Sequence, residues 1–174
     1  MMKLEQLLAS LEQGQHAPTE RWNPPYCGEL PIEIDDNGEW HYQNSPIKRM
    51  PLVKLFARVL VHERDEYFLV TPAEKVKITV ADAPFLVTTW QHLVVDGVAV
   101  IQVTTNIDQQ FALSAQHPLM IRGDQLYVDC GRELLAKVHR NVVYQWAEIA
   151  KRRTDNSHEI WFIESAGEQF DLNQ

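Results

Sequence analysis

The run "ERWNPPYCGE" places a thiol, Cys27, behind two prolines and an aromatic ring. A nucleophilic cysteine needs a thiolate stabilised by a histidine, a cation or a helix N-terminus. None is adjacent in sequence, although folding could bring His41 or His139 near. Without such a neighbour a cysteine packs as a small hydrophobe. Cys27 therefore reads as filler between anchoring prolines and aromatics, Cys130 likewise, and a Cys/His hydrolase is the enzymatic alternative. The seven histidines are scattered, and no two stand in the His-x-x-x-His spacing that puts two ligands on one helix face. No metal site is expected. A glycine-rich phosphate loop, a nucleophile elbow and a dinucleotide fingerprint are all missing from the sequence. No catalytic residue and no cofactor are assigned.

Anion-binding chemistry has better candidates. In "SPIKRMP", Lys48 and Arg49 enter an amphipathic helix, where free backbone N–H groups and the helix dipole also favour anions. Together with Lys54 and Lys75 they could hold a phosphate or carboxylate, and arginine suits bidentate contact with either. A solvated basic surface explains the same residues. "VTPAEKV" adds Thr71, Glu74 and Lys75 at a kink between strands, and "TTN" brings Asn106 to a strand end further on. Tyr26 offers a stacking face. The run "KRR" at residues 151–153 reads more simply as cations closing a helix.

These groups need elements to position them. Leu4, Leu7, Leu8 and Leu11 predict a short N-terminal helix, whose Glu5 and Glu12 argue against a secretory signal. Prolines 18, 24 and 25 then impose an extended segment with Trp22 and Tyr26 as pegs. Alternation around Asn37-Gly38 predicts a hairpin, and Leu52, Leu55, Phe56 and Val59 predict a helix at residues 51–59. Further hairpins are expected at Arg64-Asp65, Asp96-Gly97 and Gly167, with short strands turning near His117-Pro118 and Gly123-Asp124. Leu135, Val138, Val142, Trp146 and Ile149 form one stripe and predict a helix over residues 132–151. A hairpin, a helix and an aromatic-bearing strand occur twice in that order, which points to duplication. The expected class is α+β with mainly antiparallel sheets and one core helix in each half. The division is residues 1–20 (helix and linker), 21–82 and 83–174, with "ADAP" at 81–84 as the boundary.

With 174 residues and 45% apolar content the chain can bury a sizeable core. A net charge of −8 argues against binding a nucleic-acid polymer. No apolar run is long enough for a membrane helix. Two distant cysteines without a secretory signal suggest reduced thiols in the cytoplasm.

Taken in order, "WNPPYCGEL", "SPIKRMPLVKLFARVL", "YFLVTPAEKVKITVADAPF", "TTNIDQQF" and "HPLMIR" resemble the bacterial family known as domain of unknown function 1285. The resemblance covers most of residues 22–122, with matching positions at Tyr26, Cys27, residues 46–49, residues 71–75 and Asn106. It implies a duplicated core and a C-terminal half loosely similar to pleckstrin-homology folds. It also implies a site for a nucleotide-based ligand between the halves and a role in signalling, without catalysis. Ser45 stands where threonine is expected, and Asp129-Cys130 where a more basic strand end is expected. The functional expectation is a cytoplasmic sensor of a small anionic, nucleotide-like ligand, held by Tyr26, Lys48, Arg49, Thr71, Glu74, Lys75 and Asn106. A protein-interaction adaptor with a protein partner and no small ligand is the alternative.

Overall fold

The computed structural model describes residues 15–174, so the expected N-terminal helix lies outside the described residues. The first half contains β1 (Tyr26–Ile34), β2 (Trp40–Tyr42), β3 (Ser45–Pro46), α1 (Met50–Arg58), β4 (Leu60–Glu63), β5 (Glu66–Val70) and β6 (Lys75–Val80). They build one six-stranded sheet, order β3-β2-β1-β6-β5-β4, in which only the central β1/β6 pair is parallel. The second half contains β7 (Phe85–Val95), β8 (Val98–Thr105), β9 (Gln110–Ala112), β10 (Leu119–Arg122), β11 (Gln125–Asp129), β12 (Leu135–Val138) and α2 (Arg140–Ile149). Its six strands lie in the order β10-β11-β12-β7-β8-β9, again with one parallel pair, β12/β7, at the centre. Reversed, that order reads 9-8-7-12-11-10, which is the order of the first sheet with six added to each strand number. Each half is therefore two three-stranded meanders joined through their first and last strands.

This sets the register of the duplication. The meander β1–β3 corresponds to β7–β9, and β4–β6 to β10–β12. The helices are not equivalent in chain order: α1 joins the two meanders of the first half, whereas α2 follows the last strand of the second. The hairpin–helix–strand order expected from sequence therefore pairs the wrong segments, because it takes the helices as landmarks.

The expected helix over residues 132–151 is shorter and begins later. Ala136 and Val138 are buried while Leu135 and Lys137 are half-buried, a period of two, and the segment pairs with β7 as β12. The helix starts after His139, whose Nδ1 accepts the Asn141 N–H at 3.1 Å. Lys151, Arg152 and Arg153 do not close this helix. They open β13 (Lys151–Asp155), which with β14 (His158–Ser165) and β15 (Glu168–Asp171) makes a three-stranded antiparallel sheet. There they pair across the sheet with Glu164, Glu159 and Asp171 respectively. Ser165 fastens this sheet to the second half by accepting the Ile101 N–H at 2.8 Å and donating to the Leu113 carbonyl at 2.6 Å.

α1 forms where expected. Pro51 sits in its first turn, Val53 and Ala57 are buried, and Phe56 stacks on Trp40. A single apolar cluster runs through both halves and the third sheet, including Ile34, Trp40, Phe85, Val128, Trp146 and Phe170. Polar contacts reinforce the joint. The Tyr127 hydroxyl donates to the Asp82 carboxylate at 3.0 Å, Lys137 Nζ lies 3.3 Å from the same group, and Lys54 pairs with Asp108 at 2.8 Å. Burial, and then the Asp82 contact, push the Tyr127 phenol above its ordinary pKa. No helix among the described residues is long and apolar enough to cross a membrane.

Candidate functional site at the junction of the halves

Lys75 opens β6 and borders a cavity of about 250 Å³ where the two halves meet. The first half supplies Leu60, Val61 and Glu63 from β4, and the second half supplies Arg132 from the turn between β11 and β12. The proline-rich segment, expected to be extended but turning through a 3-10 turn at Thr19–Arg21, forms the remaining wall, with His16, Glu20 and Trp22. This strap is tied to both halves. The Ala17 N–H donates to the Arg58 carbonyl at 2.8 Å, and the Lys75 N–H to the Pro25 carbonyl at 3.2 Å. The Gln15 side chain exchanges two hydrogen bonds with the backbone of Gln110, at 2.9 and 2.6 Å.

Each cation in the cavity is held by a carboxylate. Lys75 Nζ lies 2.8 Å from Glu63 Oε2 and 4.4 Å from the centroid of the Phe68 ring. Arg132 donates to Glu20 at 2.7 Å, and this hydrogen bond lowers the Glu20 carboxyl pKa below its ordinary value. The His16 ring nitrogens lie 2.7 Å from the carbonyl oxygens of Ala17 and Leu60, an arrangement that a neutral imidazole can satisfy as donor at only one nitrogen. A smaller cavity of about 140 Å³ shares His16 and Arg132 with the first.

The residues expected from sequence divide into four groups. Tyr26 is the register partner of Lys75 in the parallel pair and meets Phe68 edge-on at 6.2 Å, so it stands next to Lys75 but does not line the cavity. Thr71 and Glu74 lie in the adjoining β5–β6 turn, where the Thr71 hydroxyl accepts the N–H groups of Ala73 and Glu74 at 3.2 and 3.0 Å. That hydroxyl shapes the turn. Lys48 and Arg49 are exposed and do not border the cavity. Asn106 is committed elsewhere: its Oδ1 accepts the Leu86 N–H at 3.1 Å and its Nδ2 donates to the Gly38 carbonyl at 2.8 Å, which joins the first hairpin to the second half. Lys54 is likewise held by Asp108.

Cys27 is exposed rather than buried as filler. It stands at the exposed start of β1, and its thiol meets the Pro25 carbonyl at 3.3 Å. No imidazole contacts it among the described residues, so the hydrolase alternative gains no base. Sequence reasoning missed His16, Glu20, Trp22, Glu63 and Arg132. The available signal was the strap itself, "HAPTERWNPP", whose polar residues have no repeating pattern that would assign them to a wet face. Arg132 carries no signal, because its position depends on the turn of β11–β12 reaching the other half.

The family described as Domain of unknown function (DUF1285), N-terminal domain, matches residues 17–83, and the corresponding C-terminal domain matches residues 84–172. The chain belongs to the DUF1285 family. A DUF1285 protein from Silicibacter pomeroyi DSS-3, solved by crystallography, is similar at 28% identity and a TM-score of 0.81, over 99% of this chain and 95% of that one. One from Shewanella baltica OS155 is similar at 28% identity and a TM-score of 0.58, over 68% of this chain and 91% of that one. No curated protein matches.

Proposed function

We propose that this DUF1285 protein binds a small anionic, nucleotide-like ligand in the junction cavity, with Lys75 and Arg132 as its charge partners. One observation carries the reading: two cations from different halves line one cavity, each paired with a carboxylate that is about half exposed. Ion pairs to half-exposed carboxylates contribute little net stability, so an incoming phosphate or carboxylate can take the place of Glu63 and Glu20. Trp22 supplies an aromatic wall for a base or other flat group, and Tyr26 a second ring beside Lys75. Contacts from both halves and the strap would let occupancy bias how these parts sit together, which fits a signalling role.

A thermal-unfolding screen against mononucleotides, cyclic dinucleotides, orthophosphate and dicarboxylates tests this. A ligand at about a hundred times its dissociation constant adds roughly 2.7 kcal/mol, a midpoint rise of very roughly 5–11 °C for a chain of this size. The rise is expected to disappear in Lys75→Ala and in Arg132→Ala and to persist in Arg49→Ala. A rise lost only in Arg49→Ala would move the site to the loop before α1, and a flat screen would remove the small-ligand reading.

A further inference from the structure

The first hairpin brings together three side chains that helix-based spacing does not find. Asp35 follows β1, Glu39 precedes β2 and His41 lies on β2, and one donor atom from each falls within 4.8 Å of the other two. Asp35 Oδ1 accepts the N–H groups of Asn37 and Glu39, both at 2.9 Å, which fixes the carboxylate and leaves Oδ2 facing His41 Nε2 at 2.9 Å. Asp35 and His41 are only about a quarter exposed at the side chain, 28% and 22%. Two carboxylates thus converge on one imidazole, and among the described residues no lysine or arginine pairs with either. The Asp35–His41 contact accounts for two of the three groups. Glu39, exposed at the same spot, supplies a third donor atom that this contact does not use.

We propose that Asp35, Glu39 and His41 form a binding site for a divalent transition-metal ion of the zinc type. Nitrogen and carboxylate ligands lie about 2.0–2.2 Å from such an ion in a tetrahedral site, so neighbouring ligand atoms stand roughly 3.3–3.6 Å apart, and rotamer adjustment of the exposed Glu39 would close this set onto one ion. An imidazole among the donors selects zinc-type ions over calcium and magnesium, which prefer all-oxygen sets. Three protein ligands leave a coordination position open to water. The intervening turn contains Gly38, whose carbonyl accepts from Asn106 in the second half, so the ion would brace the hairpin that docks the two halves. This site is separate from the junction cavity and stands or falls independently of it.

The test is calorimetric titration of the chelator-stripped full-length protein with Zn²⁺, repeated with Ca²⁺. One Zn²⁺ per chain is expected, with no comparable Ca²⁺ binding, and affinity should fall at least about tenfold in both His41→Gln and Glu39→Gln. Glu39 is exposed, so its amide variant keeps the fold, and the melting curve of each variant checks this. No zinc bound at about 100 μM free ion would overturn the assignment. So would binding unchanged in either variant, because the ion would then sit on other side chains.

Discussion

Asp35 is the residue whose environment makes the clearest statement about pH. Partial burial pushes its carboxyl up, but hydrogen bonds from His41 and from the N–H groups of Glu39 and Asn37 outweigh this, and the pKa falls below the ordinary 3.8. A carboxyl depressed on folding stabilises the native state above its unfolded pKa, and that contribution is lost as pH falls through the folded value. In chelator, wild type should therefore exceed Asp35→Asn in unfolding free energy at about pH 6, with the gap shrinking by about pH 3. Urea melts at the two pH values measure it, and a constant gap would contradict the assignment. Cys27 makes a different prediction. With its thiol exposed and Cys130 only partly so, iodoacetamide should modify Cys27 in the native protein well before Cys130, as peptide mass mapping would show. Cys27→Ser should cost less than about 0.5 kcal/mol.

Hairpins and α1 were legible in the sequence because their causes are local. Asn37-Gly38, Arg64-Asp65 and Asp96-Gly97 state their turns, and at the last two pairs both residues adopt positive φ. Residues 135–138 show why the rest was not. Leu135 and Val138 fit a helical stripe with Val142 and Trp146, and pairing on both sides, antiparallel to β11 and parallel to β7 some fifty residues away, makes the segment a strand. Asn106 was legible as a polar strand end, but its role needs Gly38, which is remote in sequence. Gly38 has φ +76°, and a Cβ there would lie 3.1 Å from Asn106 Nδ2 and 3.2 Å from Leu86 Cβ. Gly38→Ala thus combines left-handed backbone strain with a steric clash at the joint and should cost about 2–3 kcal/mol. Asn106→Ala leaves the Leu86 N–H and Gly38 carbonyl unpaired and should cost about 1–3 kcal/mol. Because the two substitutions break one contact, the double variant should cost less than their sum. Full additivity in denaturant melts would show that the contact carries no coupling.

At the scale of the whole molecule, duplication leaves open whether two similar sheets behave as two domains or one. The apolar cluster decides, since it runs without a break from Ile32 and Trp40 through Phe85 and Val128 to Phe170. Neither half buries its inner face alone: residues of both sheets, both helices and the third sheet share it. The polar joints at Asp82, Asn106, Lys54 and His62, whose Nδ1 lies 2.6 Å from the Glu133 carbonyl, cross the same boundary. Separating the halves would expose apolar surface on each, at about 25 cal/mol per Å², and leave these groups unpaired. Unfolding should therefore be a single cooperative transition. Tryptophans report on both halves, Trp40 in the first and Trp90 and Trp146 in the second, and Trp90 meets Trp146 edge-on at 6.2 Å. Fluorescence of Trp40→Phe follows mainly the second half, and that of the Trp90→Phe/Trp146→Phe double variant follows the first more closely. Within each variant the fluorescence midpoint in urea should coincide with that of far-ultraviolet circular dichroism. Two separated transitions in either would show that the continuous core does not bind the halves into one unit.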